Sequence, residues 1–218
     1  FKPLIDKRYG VQPHIISHNQ KSLACIRVRS SADIRKRVEH YSDLSVVGID
    51  EIQLLDGDII DLCLYLRSLG KQVIASGLNT NFRGEPFQFQ QSQHTIGELI
   101  AYADDVQTMS ALCTHKVRGR RCGDEAHYTQ RLFSDGRPVP YRDPLVFVGS
   151  AKTHNKRRYE ARCFQHHFVP GRPWQLLNSC FCFFFSMHLT LLGNFDQFYF
   201  LRVLKRIQRV LPVPRDVH

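Results

Sequence analysis

The chain has 218 residues, 43% of them hydrophobic and 11% aromatic, a composition that suits one sizeable core and excludes a disordered segment. Its formal net charge of +10 invites a nucleic-acid reading, but the placement of the charge argues against one. The excess sits in the loops 116–121 and 156–158 and in residues 172–218, with no basic stripe along a helix. No nucleic-acid partner is therefore expected.

The chain opens on Phe1-Lys-Pro, charged within two residues, so no secretory signal is read there. Seven cysteines, an odd number, then favour reduced thiols or metal over a disulfide framework, and a cytoplasmic location. Cys25 and Cys63 read as small buried hydrophobes.

In chain order, residues 1–30 give an apolar-basic start, a polar loop and a short strand over 23–29. Residues 31–40 read as a helix, with Ser31 as N-cap and Asp33 in the first turn. Residues 44–51 are an apolar run ending in Asp50 and Glu51, the pattern of a buried parallel strand when a helix follows. Leucine and isoleucine at helical spacing predict a helix over 58–69, closed by Gly70, and 72–77 the next strand. Strand, helix, strand with short punctuation is a βαβ unit, so an open parallel sheet covered by helices is expected. A further helix is predicted over 96–109. From Cys113 to His167 the residue types shift to Cys, His, Arg and Gly, which reads as a separate small lobe.

The first chemistry lies in Val46-Val-Gly-Ile-Asp50-Glu51. Ligands of open α/β sheets bind outside the carboxyl ends of the strands, and a strand-end Asp there can hold Mg²⁺. Glu51 can serve as general base toward a hydroxyl attacking a γ-phosphate. A solvated strand end explains the pair of carboxylates equally well on these residues alone.

The neighbouring motifs decide. Ile49-Asp-Glu-Ile-Gln53, Gly70-Lys-Gln-Val-Ile74 and Gly77-Leu-Asn-Thr-Asn-Phe82-Arg-Gly-Glu-Pro86-Phe87 resemble consecutive motifs of the zinc-containing (type II) thymidine kinases. The segment Lys2-Pro3…Asp6-Lys-Arg8-Tyr9 and the later Tyr128-Thr129-Gln-Arg131 and Tyr159-Glu-Ala-Arg-Cys163 complete the resemblance over about residues 1–171. It implies an α/β fold of the P-loop NTPase (RecA-like) type, an open parallel sheet over 1–112 with a small zinc-binding lobe over 113–171. It also implies ATP-dependent phosphorylation of the 5′-hydroxyl of thymidine or deoxyuridine, with ATP, Mg²⁺ and structural Zn²⁺ bound and a homotetramer formed.

By the same resemblance Glu51 is the catalytic base, and Asp50, Asp6 and Arg8 serve the metal and phosphates. Phe82, Phe87, Thr129 and Tyr159 line the base pocket, where aromatic faces suit a flat pyrimidine. Asn79 and Leu54 depart from the residues common in the family.

Cys113, Cys122, Cys163 and His166 are the candidate zinc ligands. Cys163-Phe-Gln-His166 has the spacing of a structural pair, whereas the eight residues between Cys113 and Cys122 make that pair unconvincing by spacing alone. The family has Cys-x-x-Cys there, so about six residues read as inserted, at a closure cost of only roughly 0.6 kcal/mol per doubling of loop length. His115 is too close to Cys113 for a typical pair, and His167 is a weaker candidate than His166.

No G-x-x-x-x-G-K-[S/T] phosphate loop exists in these residues, and Gly149-Ser-Ala-Lys-Thr153 only imitates its end. The sheet is accordingly expected to begin inside a strand, at Phe1. A second insertion is read at 154–158. Residues 172–218 do not resemble the family. Their apolar run over 176–192 is shorter than the ~20 residues of a membrane span, and 195–210 offers an amphipathic, membrane-surface helix as an alternative. The tail, the inserts and the missing phosphate loop suggest a fragmentary or mis-spliced product, inactive by itself. A transcript continuous through all 218 codons would sink that reading. The competing functions are a non-catalytic remnant that keeps a zinc-bearing fold, and a basic nucleic-acid-binding module.

Overall fold

A computed structural model describes residues 1–6, 13–16, 21–41, 43–146 and 157–173. Arg8, the 154–156 part of the second insert, Gly149-Ser-Ala-Lys-Thr153 and the tail beyond residue 173 lie outside the described residues. The described chain forms two compact units, one of residues 1–77 and 89–93, the other of residues 78–88 and 94 onward.

The first unit contains β1 (Lys2–Pro3), β2 (His14–Ile16), β3 (Ser22–Ala24), β4 (Arg27–Val28), α1 (Ser31–His40), β5 (Val46–Ile49), α2 (Ile59–Ser68) and β6 (Gln72–Ala75). β1 runs parallel to β4 and β5 parallel to β6, while β2 and β3 form an antiparallel pair. Phe1 joins the two parallel pairs. Its nitrogen donates to the Gly48 carbonyl at 2.6 Å, and its carbonyl accepts from Asp50 N at 2.9 Å. These are the two bonds of a parallel rung opposite Ile49, so the strands run in the order β4-β1-β5-β6. The βαβ unit read from the sequence is therefore present as β5-α2-β6.

Burial explains why these segments are helices. Ile34 and Val38 of α1 are buried one turn apart, and Ile59, Leu62, Cys63 and Leu66 of α2 form one apolar stripe. With Val47, Ile49, Ile52 and Leu55 these side chains make up the unit's core. Each such large side chain contributes about 1.5–3 kcal/mol on burial. α1 is capped by Ser30, whose hydroxyl accepts from Asp33 N. Ser31, expected as the cap, is instead drawn to Asp56, whose carboxylate accepts from Ser31 N at 2.8 Å and Ser31 Oγ at 2.5 Å. α2 closes on Leu69, with Gly70 following at φ +73°.

Two other expectations are corrected. The strand over 23–29 is interrupted at Cys25 and Ile26, and Cys25 is half-exposed rather than buried. The second unit's helix, α3 (Ile96–Ala101), stops well before residue 109. Asp104 and Asp105 would place two carboxylates at the negative end of the helix dipole, and Val106 and Thr108 are poor helix formers. α3 begins with a capping box between Thr95 and Glu98.

The second unit continues with β7 (Ala111–Leu112), β8 (Lys116–Val117), β9 (Arg120–Arg121), β10 (Glu125–Ala126), β11 (Tyr128–Leu132) and β12 (Arg158–Arg162). All pair antiparallel: β7 with β10, β8 with β9, and β11 with β12. No helix among the described residues is long and apolar enough to cross a membrane.

Removing the Asp56 carboxylate should leave the buried Ser31 hydroxyl and amide without an acceptor. We expect Asp56→Ala to cost about 2 kcal/mol, read as a lower urea midpoint, and Asp56→Asn to cost less.

Candidate active site and metal centre

β5 ends at Ile49, and the next two residues are the paired carboxylates. Asp50 is buried, and its Oδ1 accepts from the Ser76 hydroxyl at 2.8 Å, just beyond β6. Ser76 N in turn bonds to the Ile49 carbonyl. Glu51 stands at φ +50°, ψ +43°, the left-handed region, which costs a non-glycine residue about 1–2 kcal/mol. A short 3₁₀ turn over Ile52–Leu54 follows. Gln53 Nε2 donates to Glu51 Oε2 at 2.7 Å, and Gln53 is itself buried. Gly77 makes room for that amide: a Cβ at Gly77 would lie 2.3 Å from Gln53 Oε1.

Asp6 is buried with Lys2 in an ion pair of 3.2 Å, both side chains at most 2% exposed. The first unit thus holds three carboxylates that the sequence singled out, Asp6, Asp50 and Glu51.

In the second unit Phe82 is buried with Val139 and Val169. The Arg131 guanidinium lies 3.9 Å from the Phe82 ring centre and 5.4 Å from that of Tyr159, its cross-strand partner. Arg131 also donates to Asp143 Oδ2 at 3.0 Å, to the Pro144 carbonyl and to the Leu145 carbonyl. Asp143 takes a second guanidinium, Arg157, at 3.2 Å. Phe82 and Tyr159 are therefore brought together through Arg131. Phe87 is buried and its amide bonds to the Asn79 carbonyl, while Thr129 pairs with Ala161 across β11 and β12. His167, buried and stacked on Tyr128 at 4.8 Å, donates from Nε2 to the Phe82 carbonyl. Burial outweighs that bond and brings its pKa down to about 4.

The metal-ligating atoms of Cys113, Cys122, Cys163 and His166 all lie within 4.8 Å of one another. His166 Nδ1 faces the sulfurs of Cys163 at 3.2 Å and Cys113 at 3.7 Å. A tetrahedral ion with ordinary Zn–S and Zn–N bonds would set such edges at about 3.6 Å, so the donor set and its size fit a metal ion. The wide spacing of Cys113 and Cys122 is absorbed by the β8–β9 hairpin. Cys122 N bonds to the His115 carbonyl and Gly123 N to the Cys113 carbonyl, which returns the chain to its starting point. His115 is not in the cluster; its ring stacks on His166 at 4.4 Å.

The thiols are electrostatically unequal. Burial opposes ionisation of Cys113, yet backbone N–H groups of Cys163 and His115 and the His166 ring bring it down to about 7. At Cys122 the Asp124 amide favours the thiolate, but the Asp124 carboxylate and the neighbouring thiols push it up to about 12.

Sequence reasoning gave no role to Lys2, Gln53, Ser76, Arg131, Asp143 or Arg157. Lys2, Gln53 and Arg131 stand inside the motifs quoted above, a signal that was available. Asp143 had no such marker.

Asp143→Ala should deprive two buried guanidinium groups of their carboxylate. The expected cost is about 3–5 kcal/mol, measured by urea unfolding, with Asp143→Glu recovering part of it.

A family model described as thymidine kinase matches residues 1–167, about three quarters of the chain, and that span includes Asp6, Asp50, Glu51, Phe82, Phe87, Thr129, Tyr159 and the Cys113, Cys122, Cys163 and His166 cluster. The chain belongs to the thymidine kinase family.

Proposed function

We propose that this chain is built for ATP-dependent phosphoryl transfer to the 5′-hydroxyl of thymidine or deoxyuridine, a step of nucleoside salvage supplying DNA synthesis. The observation that carries the reading is Glu51, held in a strained backbone conformation at the carboxyl end of a parallel strand with its carboxylate oriented by Gln53. Such strain collects where a side chain must be aimed. In the proposed reaction Glu51 takes the proton of the 5′-hydroxyl as its oxygen bonds to the γ-phosphorus, and the bond from that phosphorus to the β-phosphate oxygen breaks to release ADP.

Asp50, with Asp6 and Arg8, would hold Mg²⁺ and the phosphates. The buried carboxylate of Asp50 and its hydroxyl partner Ser76 form a donor set suited to a hydrated hard cation. Bound there, Mg²⁺ would neutralise charge on the phosphate oxygens. Phe82, Phe87, Thr129 and Tyr159 would line the base pocket, with Arg131 fixing the positions of Phe82 and Tyr159. The four parallel strands would belong to a sheet of the P-loop NTPase kind. Cys113, Cys122, Cys163 and His166 would hold structural Zn²⁺, which deprotonates its thiol ligands and ties the short strands of the second unit together.

A second reading rests on one observation, the lack of a glycine-rich phosphate loop among the 218 residues. Residues 1–218 alone should turn over radiolabelled thymidine and Mg·ATP negligibly, and robust product would overturn this. Joined to an upstream segment bearing G-x-x-x-x-G-K-[S/T], the chain should become active. Glu51→Gln should then lower kcat by about 10²–10⁴-fold with little change in thymidine affinity. An unchanged kcat would remove Glu51 from the role of base.

Metal analysis of the purified chain should find close to one zinc per chain. Cys163→Ala should lose most of it, together with a lower melting temperature. Full retention of zinc by that variant would place the ion elsewhere.

A further inference from the structure

The basic insert between the zinc-ligand candidates is a built hairpin. β8 and β9 are joined by a two-residue turn, Arg118 at φ +49° and Gly119 at φ +80°, the left-handed pair of a type I′ turn. Glycine takes that conformation freely and Arg118 only with strain. The hairpin is closed at its base by the Cys122–His115 bond and flanked directly by Cys122 and, three residues before β8, by Cys113.

Its charge is concentrated, four cations within six residues. Lys116, Arg118, Arg120 and Arg121 are all exposed, and none has a carboxylate within 4.0 Å among the described residues. Elsewhere in the unit Arg131, Arg137, Arg157, Arg158 and Arg162 each pair with an Asp or Glu, while Arg83 and Arg142 stand singly without an ion pair among the described residues. Lys116 also stands directly opposite Arg121. Because the adjoining His115–Cys122 pair is hydrogen-bonded, this is the non-hydrogen-bonded position, where facing side chains come closest. Like charges there repel, and nothing in the hairpin itself offsets them.

We propose that the β8–β9 hairpin is a binding surface for the phosphate backbone of a single-stranded nucleic acid. Three of the four cations are arginines, whose planar fork matches a phosphate better than a point charge does. A membrane surface fits poorly, since Val117 is the hairpin's one apolar side chain and is only 46% exposed. Lys116 and Arg121 share one face of the ribbon and Arg120 takes the other, with Arg118 at the turn, an arrangement that a flexible chain of closely repeated phosphates can follow round the ribbon better than a short acidic peptide can. The absence of a basic helix, which spoke against nucleic acid in the sequence, does not bear on a ribbon carrier. The inference is independent of the kinase reading.

Binding of a fluorescent ~20-nucleotide single strand to the full 218-residue chain, followed by anisotropy, tests it. Four phosphate contacts give a slope of log K against log salt of about −3, or roughly a 50-fold loss between 50 and 200 mM. Neutralising the hairpin (Lys116→Gln, Arg118→Asn, Arg120→Gln, Arg121→Gln) should flatten most of that slope while leaving metal content and melting temperature unchanged. Neutralising the tail cations Arg202, Lys205, Arg206 and Arg209 should leave the hairpin's share intact. A slope unaffected by the hairpin substitutions would overturn the proposal. So would equal, hairpin-dependent binding of a polyglutamate peptide or of anionic vesicles.

Discussion

Much of the first unit hangs on Asp50. Its amide bonds to the Phe1 carbonyl and its carboxylate to the Ser76 hydroxyl, so one residue ties together the ends of β1, β5 and β6. A buried carboxylate is tolerated only where such partners are fixed in advance. β6 supplies the hydroxyl because it is parallel to β5 and in register, with both carboxyl ends at one edge, and the carbonyl comes from the amino end of β1. The same register places Glu51 at that edge. The chemistry and the sheet therefore share one constraint, and a slip of a single residue would send both carboxylates to the wrong faces.

The second unit is governed by a different economy of charge. Its described apolar contacts include the buried cluster of Phe82, Val139 and Val169. Short antiparallel strands cannot hold such a unit alone. Asp143, shared by Arg131 and Arg157, takes over part of that role, and the Cys113, Cys122, Cys163 and His166 cluster would do so with an ion bound. Arg131 links the two kinds of contact, being salt-bridged at its tip and stacked on Phe82. Here guanidinium groups are internal struts. On the β8–β9 hairpin they are left bare, which is why the same residue type calls for two explanations.

What could be read from the sequence follows from the range of each interaction. The helix over 31–40 and the β5-α2-β6 unit were legible because their signals, apolar spacing and turn residues, are local. Asp50 and Glu51 were legible because the strand that carries them ends where they begin. The early stop of α3 was partly local as well, in Asp104 and Asp105, but apolar spacing outweighed it in the reading. The Ser31–Asp56 and Arg131–Asp143 contacts were not legible, since they join residues 25 and 12 positions apart with no periodic signal. The Cys113–Cys122 pair failed on spacing because spacing rules assume a tight turn. A hairpin whose two strands leave and return at the same point makes eight intervening residues equivalent to two.

The strain at Glu51 shows how far these constraints reach. A left-handed glutamate persists only if its surroundings favour it by more than the one or two kcal/mol it costs. The 3₁₀ turn that follows supplies part of this, through the buried side chains of its first residue, Ile52, and of Leu55, which closes it. Gln53 adds to it by bonding the Glu51 carboxylate from a buried position, with Gly77 leaving room beside its amide. Glu51, Gln53 and Gly77 thus act as one device spanning two strand ends. Its effect is a carboxylate aimed by backbone and amide together. In the proposed reaction such pre-orientation would lower a barrier without any added binding contact, and the glycine would be as much a part of the site as the acid it serves.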